Sequence, residues 1–207
     1  MGAMGTFAGT TGGSSIRAVS RALACPDVEA DDLTVLGQRA TMFYRFDPVE
    51  HRRRQSVSAQ PLTAMESLEA LLELPVGLPI PMESLCPDDR ASVRRLPSTA
   101  VDREGESVTR KAVRPLKVEL ALVRDTRPRQ ALEAATKFAP FCSRAVLLQR
   151  PAPRMDDYLN EASFYGVGVL LQTPSGIEVP LEPAEYRPKR HTAAAWRFVE
   201  KLYQLVR

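Results

Sequence analysis

The sequence predicts an α/β protein, because strand-like and helix-like segments alternate through residues 115–176. A strand-like run at 116–123 is followed by a helical pattern at 128–141 and by a second apolar run at 144–149. After a polar, acidic helical segment, a third apolar run covers 166–172 and ends in a Thr-Pro-Ser-Gly turn. Alternation of this kind is typical of a sheet with helices packed against it.

The first of these runs carries one acid in the middle of an apolar segment. Because side chains alternate across a strand, we predict two distinct faces for it. One face holds Leu116, Val118, Leu120 and Leu122, and the other holds Lys117, Glu119, Ala121 and Val123. Glu119 is therefore the residue of this strand to which we look for chemistry, with Lys117 beside it on the same face.

The chain divides into three parts by composition. Residues 1–15 are a low-complexity segment that we expect to be disordered. Residues 16–97 form a mostly helical N-terminal module, and residues 98–207 form the α/β domain, which closes with an amphipathic helix at 192–206. Patterns inside the N-terminal module are helical at 16–24, 63–74, 81–85 and 87–96 and strand-like at 41–46.

Residues 98–113 predict a β-hairpin that turns at Glu104, Gly105 and Glu106. Two interpretations of this hairpin remain open. In the first, the three short helices before it and the hairpin itself make a winged helix that extends to residue 113. The recognition helix would then carry Arg90, Arg94 and Arg95, and the wing would carry Arg110 and Lys111. In the second, the 87–96 helix and the hairpin are the first helix and strands of the α/β core.

Charge is distributed unevenly along a chain whose net charge is +3. Residues 1–100 hold 10 Lys and Arg against 12 Asp and Glu, a net of −2. Residues 101–207 hold 18 against 13, a net of +5. A basic C-terminal half permits contact with nucleic acid.

The composition also bears on where the protein works. No segment approaches the roughly 20 uninterrupted apolar residues of a membrane span, so we expect no membrane contact. The N-terminus lacks a basic region followed by an apolar stretch, which argues against a secretory signal. Cys25, Cys86 and Cys142 are odd in number and widely spaced, which favours reduced thiols and a cytoplasmic location.

Several kinds of catalytic site are disfavoured. His51 and His191 are the only histidines, and neither lies near a serine or cysteine motif, which argues against triad chemistry and a histidine-rich zinc site. The glycine-rich residues 9–14 have no strand before them, so they do not predict a phosphate-binding loop. Asp156, Asp157 and Glu161 are acids of the kind that collect at a helix N-terminus.

Four segments together resemble a known superfamily. They are Lys117-Val-Glu-Leu-Ala121, Arg129-Gln-Ala-Leu-Glu-Ala-Ala135, Phe141-Cys-Ser-Arg-Ala-Val-Leu-Leu148 and Gly166-Val-Gly-Val-Leu-Leu171. Over about residues 98–183, this order resembles small bacterial members of the PD-(D/E)XK nuclease-like superfamily. The resemblance implies a restriction-endonuclease-like αβββαβ core, preceded here by a small helical module that is winged-helix-like in the first interpretation.

The resemblance also implies what certain positions do. In the family, an aspartate and a glutamate hold Mg²⁺, and a lysine two residues after the glutamate stabilises developing charge. Glu119 matches the glutamate, but Ala121 occupies the lysine position and Ala134 the position of a helix glutamine. Asp102 is the only plausible partner acid. The site therefore resembles a degenerate one, for which Lys117 and Lys137 are the two candidate replacement cations.

Three hypotheses follow. In the first, which we favour, the protein is non-catalytic, needs no cofactor and binds DNA or serves as an assembly subunit. Its predicted phosphate contacts are Arg90, Arg94, Arg95, Arg110, Lys111, Arg187, Lys189 and Arg190. In the second, it is a Mg²⁺-dependent nuclease that uses Asp102, Glu119 and either Lys117 or Lys137. In the third, it is a structural protein that forms a homodimer or a larger complex through its C-terminal helix.

Overall fold

The computed structural model of the protein describes residues 11–23, 27–188 and 190–207, with side chains from Ile16 onward. Within these ranges the fold is mixed α/β, with one sheet of six strands and another of three. The predicted α/β class is thereby confirmed.

Helices and strands alternate along most of the chain. The helices are α1 (Thr11–Ala22), α2 (Pro48–Ser56), α3 (Met65–Leu72), α4 (Pro87–Arg95), α5 (Pro128–Thr136), α6 (Met155–Phe164) and α7 (Ala193–Val206). The strands are β1 (Glu29–Val35), β2 (Gln38–Phe46), β3 (Pro79–Pro81), β4 (Val101–Glu104), β5 (Ser107–Arg110), β6 (Leu116–Arg124), β7 (Ser143–Leu148), β8 (Gly168–Thr173) and β9 (Gly176–Leu181). A short 3-10 helix, Met82–Ser84, precedes α4.

The large sheet has the strand order β1-β2-β6-β7-β8-β9. Strands β6, β7 and β8 run parallel, and the remaining neighbours pair antiparallel. Parallel neighbours need a crossover connection, and α5 and α6 provide it between β6 and β7 and between β7 and β8. The parallel strands therefore all begin at one edge of the sheet.

Both faces of the large sheet are covered by helices. On one face, Leu132 of α5, Tyr158 of α6 and Leu202 of α7 belong to the largest buried cluster. On the other face, Val19 of α1 packs in a cluster with Leu122 and other strand residues. Burial on both faces explains why β6, β7 and β8 are nearly continuous apolar runs in the sequence.

The small sheet has the order β3-β5-β4 and lies in a module inserted between β2 and β6. Helices α3 and α4 pack on it around Leu68, Leu71 and Val93, and Trp196 of α7 completes this cluster. The strand pairing joins part of the segment before residue 97 to the large sheet. Residues 29–46 belong to the large sheet, and the small module follows them instead of preceding the whole core.

The hairpin predicted at 98–113 is present as β4 and β5. Its strands pair with each other and with β3, so the interpretation that placed the hairpin in the core sheet is wrong. At the N-terminus, α1 begins at Thr11, inside the segment 1–15 that was expected to be disordered. Residues 1–10 lie outside the described residues.

A buried network of charged side chains joins α2 to α7. Both Nη atoms of Arg54 donate to Glu200 at 2.7 Å, and its Nε donates to Glu50 at 2.7 Å. All three side chains are at most 2% exposed. Trp196 Nε1 and the Leu62 backbone N–H also donate to Glu200, at 2.9 and 3.0 Å. Buried charges are tolerated only when they are paired in this way.

The apolar stripe of α7 is part of the core. Trp196, Val199, Leu202 and Tyr203 are buried against other parts of the same chain. These four side chains are therefore not available as a dimer face. In the described part of the chain, every helix is too short or too polar to cross a bilayer.

Two cysteines are placed in opposite environments. Cys142 is buried and Cys86 is exposed, whereas Cys25 lies outside the described residues. Burial raises the pKa of the Cys142 thiol to about 12. Because the thiolate is the reactive form, Cys142 should remain inert at neutral pH.

We expect iodoacetamide at pH 8 to alkylate Cys86 in the native protein and to leave Cys142 unmodified. Unfolding in urea should expose Cys142 and allow its alkylation. Mass spectrometry of the two peptides, before and after urea, measures both reactions. Native labelling of Cys142 at the rate of Cys86 would contradict its burial.

Candidate nucleic-acid interface

Glu119 lies at a β-bulge in β6. The pairing of β2 with β6 shifts between Phe43, opposite Leu120, and Tyr44, opposite Val118. Glu119 is therefore the bulged residue of β6, which has no residue paired with it on β2. The bulge also changes the side-chain alternation, because Leu116 and Val118 join one core cluster with Ala121 and Val123, whereas Leu120 and Leu122 join the other. The predicted simple alternation of β6 is wrong beyond Val118.

The Glu119 carboxylate is held by two cations of its own chain. Oε2 lies 2.9 Å from Lys117 Nζ, and Oε1 lies 3.3 Å from Arg45 Nε. The side chain is 22% exposed, so the pairs are partly screened from water. The ion pair confirms that Lys117 and Glu119 share a strand face, as predicted. Lys137 is exposed at the C-cap of α5.

Asp102, the predicted partner acid, lies on β4 in the small sheet, whereas Glu119 lies in the large one. Its carboxylate is 3.7 Å from Lys111 Nζ. Each of the two predicted metal ligands, Asp102 and Glu119, is therefore paired with basic side chains. Over residues 11–23, 27–188 and 190–207, no group of three or more His, Cys, Asp or Glu side chains is placed to hold a metal ion.

The connection from β9 to α7 crosses the edge where the parallel strands begin. We call its residues 182–188 the strap. Ala184 N–H donates to Gly166 O at 3.3 Å, and Ser143 Oγ donates to Ala184 O at 3.0 Å. Tyr186 N–H donates to Ser143 Oγ at 3.0 Å, and Tyr186 Oη donates to Pro140 O at 2.6 Å. These bonds fix the strap against the starts of β7 and β8.

Basic side chains gather along this edge. We call the set the basic edge, and its members are Arg45, Arg114, Lys117, Arg144 and Arg187. The hydrogen bond from Arg187 is the main cause of the lowered pKa of the Glu185 carboxyl in the strap. Lys117 is close enough to lower that pKa further. Arg190 follows the strap on the same connection, beyond Lys189, which lies outside the described residues.

Arg114 and Arg144 are half-buried guanidinium groups that lack a carboxylate partner within the described residues. Burial lowers the pKa of each, which means that the surroundings do not fully compensate the charge. Arg144 donates to Tyr165 O, but its Nε and the Nη2 of Arg114 find no hydrogen-bond acceptor among the described residues. Both of these nitrogens are themselves buried, so water does not solvate this part of the positive charge.

The predicted phosphate contacts fall into two groups. Arg90 and Arg110 donate to backbone carbonyls, which leaves fewer of their N–H groups for a phosphate, and their assignment as phosphate contacts stays a prediction. Arg90 donates to Met82, Glu83 and Leu85, and Arg110 donates to Leu71, Leu74 and Ala112. Arg94, Arg95 and Arg190 are exposed, Lys111 pairs with Asp102, and Arg187 pairs with Glu185 at 2.6 Å.

Three members of the basic edge, Arg45, Arg114 and Arg144, are absent from the predicted set. A signal for two of them exists in the sequence. Arg144 opens the second apolar run, and Arg114 stands just before the first. Because parallel strands begin at the same edge of a sheet, basic residues at their starts converge in space.

A separate groove lies at the opposite edge, where β6 and β7 end. It has two lobes of about 460 and 380 Å³ that share Pro128 and Pro153. Its charged lining residues are Asp125, Arg129, Arg150, Arg154, Asp157 and Glu161. The groove has three acids and three arginines, whereas the basic edge has five cations around the two carboxylates Glu119 and Glu185, so the groove is the less positive of the two surfaces.

Comparison of the chain with protein-family models, with curated proteins and with solved structures gives no match. The resemblance to the PD-(D/E)XK superfamily therefore stays a prediction from the sequence.

Proposed function

We propose that the protein is a non-catalytic nucleic-acid-binding protein built on a nuclease-like core, and that it binds phosphate through the basic edge. The observation that carries the proposal is the pair of half-buried guanidinium groups, Arg114 and Arg144, with nitrogens that lack acceptors within the described residues. Half-buried guanidinium groups beside other cations add to the local positive potential, and such a potential attracts a phosphate backbone.

The order of elements supports a nuclease-like core. From α1 through β1, β2, β6 and α5 to β7, the large sheet follows the order helix, three strands, helix, strand. This is the αβββαβ order that the sequence resemblance implies. The small module then interrupts the core between its second and third strands.

The surroundings of Glu119 support a non-catalytic role. A Mg²⁺ ion needs several oxygen ligands with accessible lone pairs. Here Arg45 and Lys117 each occupy one oxygen of the carboxylate. Ala121, at the position of the family's lysine, is fully buried and supplies no charge. A cation would have to displace two ion pairs before it could bind.

The small module supplies a second candidate contact. Helix α4 is followed by the β4–β5 hairpin, and β3 pairs with the outer side of β5. This arrangement is compatible with a winged helix, in which α4 would be the recognition helix. Arg94 and Arg95 are exposed in its last turn and remain free to approach phosphate.

Replacing Lys117 and Arg187 together with glutamine tests the proposal. We expect the double variant to bind a labelled oligonucleotide on the order of 10- to 100-fold more weakly at 0.1 M salt, because two phosphate contacts are lost. The slope of log affinity against log salt should fall by about 1.4 for single strands or about 1.8 for duplex DNA. Fluorescence anisotropy across a salt series measures both quantities.

The matched control is a variant with Arg129 and Arg150 replaced by glutamine, which changes the charge equally at the opposite edge. It should bind like the wild type. Absence of wild-type binding at low salt, or equal losses in the two variants, would remove the proposal. Incubation of plasmid with Mg²⁺ or Mn²⁺ addresses the nuclease alternative, because cleavage by wild type and not by Glu119→Gln would show an active site.

A further inference from the structure

Two aromatic rings stand exposed beside the basic edge. Phe164 is 84% exposed and Tyr165 is 44% exposed, and their centroids lie 5.2 Å apart with the planes at 79°. By contrast, Phe43 and Phe138 are at most 1% exposed. Leaving a phenylalanine ring almost wholly in water forgoes the favourable free energy of burying it. The core does not use this ring, and its exposure therefore requires another explanation.

The backbone that carries these rings is firmly held. After α6, Gly166 takes a left-handed φ of +64° and its N–H donates to Ser163 O, while Val167 N–H donates to Ala162 O. The Arg144 guanidinium donates to Tyr165 O. Bonds of this number on a short turn fix where the rings emerge, so a ligand would meet them with little ordering cost.

The rings are tied directly to the cationic surface. Arg144, which binds Tyr165 O, is itself a member of the basic edge. The strap touches the same turn, because Ala184 N–H donates to Gly166 O at 3.3 Å. Arg187, three residues further along the strap, is exposed. A ligand that contacts this patch must therefore offer both an apolar face and negative charge.

We propose that Phe164, with Tyr165 beside it, stacks on an unpaired base, so that the ligand of the basic edge is a single-stranded nucleic acid. This inference rests on the proposed function. Single-stranded nucleic acids present base faces and backbone phosphates together, and aromatic rings beside cationic grooves are how proteins bind them. In a duplex the base faces are covered by their neighbours, and Phe164 would find only the polar backbone. The composition of the patch favours this ligand over a protein partner, because protein interfaces are depleted of charge at their centre.

Replacing Phe164 with alanine tests the inference. We expect affinity for a labelled oligo(dT) strand to fall roughly 5- to 150-fold, the range for loss of one base–aromatic stack. Affinity for a duplex of equal length should change less than twofold, and the salt slope should stay the same. Fluorescence anisotropy measures each quantity. Phe164→Trp should keep the single-strand affinity, and Val49→Ala, at an exposed position on α2, should behave like the wild type.

The outcomes separate the two proposals. If the wild-type protein binds no nucleic acid at low salt, the proposed function fails. If it binds both oligonucleotides with a normal salt slope and Phe164→Ala matches the wild type, only the stacking inference fails. A loss of self-association in Phe164→Ala, seen by light scattering without a change in single-strand affinity, would assign the ring to a protein contact and overturn the inference.

Discussion

Replacing Glu200 with alanine is expected to lower the free energy of unfolding by about 3–5 kcal/mol, the cost of removing one partner from a buried ion pair. The change leaves both Nη atoms of Arg54 without their carboxylate, while Glu50 still binds Nε. It also removes the acceptor of Trp196 and of the Leu62 N–H. A loss of this size is a large fraction of the stability of an ordinary domain.

Urea unfolding followed by the fluorescence of Trp196 measures this loss, because Trp196 is the only tryptophan and donates to Glu200. Lys201→Ala is the matched control, since Lys201 is the next residue on α7 and is exposed. Its effect should stay within about 0.5 kcal/mol. Glu200→Gln keeps an acceptor for Trp196 and should fall between the two. A loss below about 1 kcal/mol for Glu200→Ala would contradict the role of the network.

Replacing Gly168 with alanine should destabilise the protein by about 1–3 kcal/mol, the usual cost of overpacking. A Cβ at this position would lie 2.7 Å from Pro183 N, 2.8 Å from its Cδ and 2.9 Å from its Cα. Because two of these atoms are backbone, the strap itself must move. We therefore expect Gly168→Ala to weaken nucleic-acid binding as well as stability.

The control for this change is Gln172→Ala, on the same strand but with an exposed side chain. It should alter the urea midpoint little and leave binding intact. A Gly168→Ala protein with wild-type stability and wild-type oligonucleotide affinity would show that the strap adjusts freely, contrary to the hydrogen bonds that hold it.

Elements with a strong local pattern were predictable from the sequence. The first strand was predicted at 116–123 and is observed at Leu116–Arg124, and the last helix was predicted at 192–206 and is observed at Ala193–Val206. In both, the period of apolar residues matches the geometry of the element. Such patterns depend on neighbouring residues only, and no knowledge of the distant chain is needed.

The arrangement of these elements was not predictable in the same way. Strands β2 and β6 are neighbours in the sheet although residues 47–115 separate them. No local pattern in either strand identifies its partner. Residues 29–46 were therefore predicted to belong to the N-terminal module and not to the sheet of the core. The bulge at Glu119 depends on that pairing too, since a bulge is defined by what lies on the opposite strand.

In the candidate site, too, only the features that depend on neighbouring residues were predictable. The proximity of Lys117 and Glu119 follows from two-residue spacing on a strand and was predicted. The occupation of Arg90 and Arg110 was not, because their acceptors are carbonyls at the ends of other elements, such as Leu71 and Leu74 near the end of α3. The sequence alone does not distinguish an arginine that donates to backbone carbonyls from an arginine that binds a ligand.

The inserted module is attached to the core at both of its ends, and this restricts its freedom. Its chain enters from β2 and leaves into β6, two adjacent strands, while Trp196 of α7 is packed into its interior. A domain joined by one linker can rotate relative to its neighbour. The inserted module is held by two chain connections and by the packing of Trp196, so it cannot rotate in this way. Any nucleic acid that contacts both α4 and the basic edge would therefore meet two surfaces whose separation is fixed by the fold.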